Sequence, residues 1–207
     1  MQSGPVDVVA IGASAGGVEA LSKLLHALPP DLPAVVLVTL HRPVARESLL
    51  QQVLSHVSRL PVVVARSGEL LCPGKCYLGA PSHHLTVGPG LVATLVHDGP
   101  SRGRSIDLLF DSLARNAGPR TIGVVLSGLL KDGTQGLAAL KAAGGKALVQ
   151  SPDEARFKEM PRSAIAFAGP VDKVGPISEL AQEICRLVRC RQDALLLAAP
   201  ASQPATP

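Results

Sequence analysis

The sequence predicts a doubly wound α/β domain: a mainly parallel sheet with helices on both faces and a small antiparallel β insert. Three observations predict it. Apolar runs of strand length without polar alternation recur along the chain, the pattern of strands buried on both faces. Between them lie segments whose apolar residues fall at helical spacing, giving the strand–helix–strand order of a parallel sheet. One stretch in the middle breaks this rhythm into short β-rich pieces separated by Gly and Pro turns.

Val6 to Ala13 is the first buried strand, and Val18 to Leu28 is a helix that Pro29 and Pro30 stop. Ala34 to Leu40 is the second strand. Glu47 to Val57 reads as an amphipathic helix with Leu49, Leu50, Val53 and Leu54 on one face, and Pro61 to Ala65 as a third strand. From Gly68 to Gly99 the pieces Cys76–Gly79, Leu85–Val87 and Leu91–Val96 form the expected antiparallel insert. The winding resumes with a helix at Ser105–Asn116, a strand at Thr121–Leu126, a helix at Gln135–Ala143 and a strand at Lys146–Gln150. Pro161 suits the first turn of a further helix, and Ile177 to Val188 is the last amphipathic one. Residues 1–190 are therefore expected to form one domain, with 191–207 an Ala- and Pro-rich disordered tail.

Composition narrows the function classes. A chain of 207 residues with 46% hydrophobic and 17% charged residues has enough apolar material for a single core and lies far from the composition of disorder. Aromatics are only 2%, with no Trp, so a surface that stacks nucleic-acid bases is not expected. The net charge of +4 comes from scattered Lys and Arg and selects no partner class. No apolar run approaches the ~20 residues of a membrane span, and no secretory signal begins the chain, so the expected location is the cytoplasm without membrane insertion. The cysteines pair as Cys72/Cys76 and Cys185/Cys190, spacings that do not match zinc-binding pairs. Reduced thiols, no metal and no cofactor are expected.

The turn after the first strand, Gly12 to Gly17, admits two functional readings. A glycine-rich strand-to-helix turn can cradle a nucleotide phosphate, but the dinucleotide fingerprint needs glycine where Ser14 stands, and an acidic residue where the second strand ends in His41. Gly12, Ser14 and Gly16 instead match G-x-S-x-G, the elbow that exposes a nucleophilic serine; a purely structural turn serine is the plain alternative. Adjacent first and second strands would bring His41 beside Ser14, although a histidine at a strand end is more often a surface residue. Asp132 follows the Thr121–Leu126 strand in the loop SGLLKDG, on the other side of the first strand and next to the topological switch point. It also suits a helix N-cap or turn. If the three converge, His41 accepts the Ser14 proton and Asp132 orients the imidazole. The chain order Ser, His, Asp differs from that of ordinary α/β-hydrolases.

These motifs resemble the chemotaxis receptor methylesterases of the CheB type. The similarity runs through VVAIGASAGGVEAL (Val8–Leu21), His41 before Pro43, CYLGAPSHHLTV (Cys76–Val87) and HDGP (His97–Pro100). It continues through SIDLLFDSLA (Ser105–Ala114), GVVLSGLLKDGTQGLAALKAAGG (Gly123–Gly145) and MPRSAI (Met160–Ile165). The resemblance implies hydrolysis of glutamate methyl esters on the cytoplasmic helices of methyl-accepting chemoreceptors, with deamidation of receptor glutamines as a related activity. It assigns Ser14 as nucleophile, His41 as base and Asp132 as the acid, and it implies neither metal nor cofactor; by their position, the Ala15 and Leu129 amides are the candidate oxyanion donors.

Four departures accompany the resemblance. Family members usually carry an N-terminal receiver, whereas the first catalytic strand here begins at Val6, so control by a separate regulatory protein is expected. The loop before the aspartate, usually GMG and a small polar residue, reads Gly128-Leu129-Leu130-Lys131. Arg42 adds a cation next to His41, and Ser101–Arg104 is shortened. A non-catalytic binding module built on the same surface is the alternative function.

Overall fold

A computed structural model describes residues 6–41, 49–97 and 103–198. Seven parallel strands form the main sheet in the order β3-β4-β2-β1-β7-β8-β9, with β5 and β6 paired antiparallel beside it. The strands are β1 (Asp7–Ala13), β2 (Ala34–Leu40), β3 (Val62–Val64), β4 (Lys75–Leu78), β5 (His83–Gly88), β6 (Val92–His97), β7 (Thr121–Val125), β8 (Lys146–Gln150) and β9 (Lys173–Gly175). The helices are α1 (Gly17–Ala27), α2 (Leu50–Val57), α3 (Ser105–Asn116), α4 (Thr134–Ala142), α5 (Glu159–Phe167) and α6 (Ile177–Ala198). The doubly wound class and the small antiparallel ribbon are as the sequence predicts.

Every residue of β1 is buried, and successive residues feed opposite cores. Val9 and Ile11 pack with Leu21 and Leu24 of α1, Leu54 of α2 and Leu180 and Ile184 of α6. Val8 and Ala10 face the other way, toward Ile106 and Phe110 of α3, Leu137 of α4 and Met160 of α5. Full burial of each large apolar side chain contributes about 1.5–3 kcal/mol, so two-sided burial anchors β1, and it delivers the glycine-rich turn.

At the opposite end of that strand Asp7, 1% exposed, accepts from Arg120 Nη2 at 2.9 Å and Arg191 Nη1 at 3.0 Å. The last helix is thereby tied to the first strand by a buried carboxylate. No helix among the described residues is long and apolar enough to cross a membrane.

Several expectations need correction. Cys76–Gly79 is not part of the antiparallel insert: Lys75–Leu78 enters the main sheet parallel to both β2 and β3. Its residues alternate between the two cores, Cys76 and Leu78 into one and Tyr77 into the other, and its glycine flanks disguise a buried strand as a hairpin piece. On α2 only Leu50 and Leu54 are buried, while Leu49 and Val53 are 60% and 43% exposed, because the helix touches the sheet margin by a narrow i, i+4 stripe. The short strand β9 was not expected; its three residues follow no apolar run. The last helix continues past Val188 to Ala198, since Ala194 to Ala198 are good helix formers. It crosses the expected boundary at 190, and 199–207 lie outside the described residues.

Candidate active site

β1 ends at Ala13, and Ser14 follows at the carboxyl edge of the sheet, in the turn to α1. The turn is fixed at both ends: Ser14 N–H donates to Ser127 O at 3.0 Å, and Gly17 N–H donates to Ser14 O at 2.9 Å. Its glycines have separate reasons. Gly16 caps α1 at φ +69°, a left-handed conformation that L side chains resist. A Cβ on Gly12 would stand 2.3 Å from Ile106 Cγ2, so glycine lets the first turn of α3 close onto β1.

Parallel pairing of β1 with β2 continues one step beyond Ala13↔Leu40, where His41 N–H donates to Ala13 O at 3.3 Å. This register brings His41 Nδ1 to 3.3 Å from Ser14 Oγ. On the far side of the ring, Nε2 lies 2.6 Å from Asp132 Oδ2, with side-chain exposures of 24% and 2%. The two atoms are within hydrogen-bonding distance but outside hydrogen-bond alignment. For Nδ1 to accept the Ser14 proton, neutral His41 must carry its own proton on Nε2, toward Asp132.

Asp132 is held by backbone rather than side chains. Ile106 N–H donates to Oδ2 at 2.9 Å, while Asp107 and Gly133 N–H donate to Oδ1 at 3.0 and 2.9 Å. Ile106 and Asp107 lie in the first turn of α3, where Arg104 supplies no capping acceptor. Asp132 does serve as a helix cap, but of α3 rather than of the helix that follows it. Beside it, burial and the Asp132 charge push the Asp107 carboxyl above the usual carboxylate range, against the Gly136 N–H that donates to it at 2.8 Å.

Two amides, one in the serine turn and one in the loop after β7, are open. Among the described residues neither the Ala15 nor the Leu129 N–H has a protein acceptor, although the amides on both sides of Leu129 do. Gly128 N–H donates to Phe157 O at 3.0 Å, and Leu130 N–H to Glu159 Oε2 at 2.9 Å. Leu130 itself sits at φ +65° and is 74% exposed. The arrangement offers a hydroxyl, a base, a carboxylate and two open N–H donors at one strand edge, the parts required for acyl transfer.

The family model described as CheB methylesterase matches residues 9–184. The chain belongs to the CheB methylesterase family. Protein-glutamate methylesterase/protein-glutamine glutaminase 1 of Burkholderia pseudomallei is 39% identical over 183 residues, covering 86% of this chain and 50% of that protein. An Anaeromyxobacter dehalogenans protein of the same name is 36% identical over 193 residues, covering 91% and 54%. The chain thus spans about half the length of these curated relatives. The crystal structure of the Thermotoga maritima CheB methylesterase catalytic domain superposes with a TM-score of 0.80 at 28% identity, covering 88% of this chain and 98% of that one.

In this CheB-family chain His41 lies within contact distance of both Ser14 and Asp132. Arg42 and residues 101–102 lie outside the described residues. Sequence reasoning missed Ser127, whose Oγ donates to Ala15 O at 2.9 Å and accepts from Phe157 N–H at 3.0 Å, tying the serine turn to the segment before α5. It also passed over His84, which is buried with Nδ1 3.0 Å from Ser105 Oγ at the start of α3. The visible signal for Ser127 was its place between a buried strand end and Gly128.

Proposed function

We propose that this chain is a cytoplasmic protein-glutamate methylesterase that hydrolyses glutamate γ-methyl esters on chemoreceptor signalling helices, and deamidates glutamines there by the same route. The observation that carries the reading is the contact of His41 with Ser14 on one ring edge and with Asp132 on the other. Ser14 Oγ attacks the ester carbonyl as its proton passes to His41 Nδ1, and Asp132 steadies the imidazolium. The oxyanion of the tetrahedral intermediate is received by the Ala15 and Leu129 N–H groups. Collapse expels the methoxy group, which takes the proton from Nδ1 and leaves as methanol. Water then attacks the acyl-serine carbonyl, giving a proton to Nδ1; the bond from that carbon to Ser14 Oγ breaks, Oγ takes the proton back from Nδ1, and the glutamic acid side chain leaves and ionises to the carboxylate. With a glutamine side chain the leaving group is ammonia. Residues 1–190 supply every group the reaction needs, without a cofactor.

Methanol release from methylated receptor by the wild type and by Ser14→Ala tests this. The expected result is loss of turnover in the variant, together with labelling of Ser14 by a fluorophosphonate that His41→Ala abolishes. Equal rates would overturn the mechanism, and folded protein that neither labels nor turns over would support a binding module instead.

A further inference from the structure

The loop Gly128-Leu129-Leu130-Lys131 must hold one amide toward the reacting carbonyl, yet it adopts a conformation its own residues disfavour. Leu130 lies in the left-handed region at φ +65°, where a leucine Cβ crowds the backbone. The residue is 74% exposed, so burial does little to hold it there. The backbone around it is nevertheless anchored. Gly128 donates to Phe157 O and accepts from Met160 N–H, both at 3.0 Å, and Leu130 N–H donates to Glu159 Oε2 at 2.9 Å. The residues on each side of Leu129 are therefore clasped by the 157–160 segment, while the Leu129 N–H has no protein acceptor among the described residues.

We propose that Glu159 is a positioning residue for ester hydrolysis: its carboxylate latches the Leu130 N–H, holding Leu130 left-handed and the Leu129 amide aimed at the oxyanion. Without the latch, Leu130 relaxes toward negative φ, and the peptide planes beside it turn. The inference rests on Ser14 as nucleophile and Leu129 as oxyanion donor. The interaction requires an acceptor at Glu159 rather than a charge, which separates it from a general electrostatic effect and from a helix-terminus effect on α5.

The test uses the full chain, a peptide carrying a glutamate γ-methyl ester, and the variants Glu159→Ala and Glu159→Gln. Removing an oxyanion donor outright costs about 10²–10³ in kcat, and loosening one costs less. Glu159→Ala is expected to lower kcat about tenfold with KM within about twofold of wild type, and to lose hydrogen-exchange protection at the Leu130 amide. Glu159→Gln, whose amide oxygen accepts the same N–H, is expected to retain both. A Glu159→Ala kcat within about twofold of wild type, or equal losses in the two variants, overturns the latch. Fluorophosphonate labelling keeps the two readings apart: wild type that labels at Ser14 and releases methanol leaves the nucleophile assignment standing whatever the latch does. Wild type that does neither overturns both.

Discussion

Asp132→Asn probes the site most sharply, because Asp132 stands at once in the fold and in the proposed chemistry. The wild-type carboxylate faces the N–H groups of Ile106, Asp107 and Gly133, and His41 Nε2. Asparagine has one oxygen and one NH2. With the oxygen in the Oδ1 place, the NH2 meets the Ile106 N–H and the imidazole; turned the other way, it meets Asp107 and Gly133. At least one buried N–H is left facing a donor in either pose, at a cost of about 1–3 kcal/mol. For a chain of about 200 residues each kcal/mol moves Tm by roughly 2–4 °C. The variant should therefore melt roughly 2–12 °C lower. In the first pose the NH2 also favours a His41 tautomer with its proton on Nδ1, toward Ser14, and in a serine triad that error costs about 10⁴ in kcat. Thermal unfolding by circular dichroism and methanol release measure the two effects on one preparation. Retention of wild-type Tm with kcat within about threefold would refute both the capping of α3 and the orienting role.

Two further outcomes concern charge. Asp107 has a folded-state pKa raised by burial, so as pH rises above its ordinary value of 3.8 the unfolded chain releases that proton first and the native state loses stability. Asp107→Asn keeps an acceptor for Gly136 and escapes this penalty; it should melt higher than wild type at pH 7, with the gap closing as the pH falls below 3.8. A gap independent of pH, or of opposite sign, contradicts this account. Asp7→Ala leaves Arg120 and Arg191, only 21% and 19% exposed at the side chain, without their shared carboxylate. A loss of about 3 kcal/mol in denaturant-derived stability is expected, and an unchanged midpoint would show that the ion pairs contribute nothing.

Much of this architecture was legible because its strands are buried on both faces. β2, α3 and β8 begin and end where the apolar runs and helical periodicity do. Ser14, His41 and Asp132 could be brought together on paper because each follows a buried strand at the same sheet edge. What escaped was set by contacts distant in sequence. β4 is a strand because β2 and β3 flank it, not because its residues alternate toward solvent. Glu159 and Ser127 bond backbone groups 29 to 112 residues away, and nothing in residue type announces such partners. The αL conformation of Leu130 is of the same kind, a local cost imposed by the surrounding clasp.

The Asp7 ion pairs give the domain a division of labour along a single strand. Asp7 and Ser14 stand at opposite ends of β1, roughly 23 Å apart at about 3.3 Å per residue. Reactive groups crowd one rim, while the fastening of the carboxyl-terminal helix occupies the other. Damage at Arg191 would reach the serine only through loosening of the whole domain. A variant library directed at the fastened rim could therefore adjust durability while leaving turnover per folded molecule as it was.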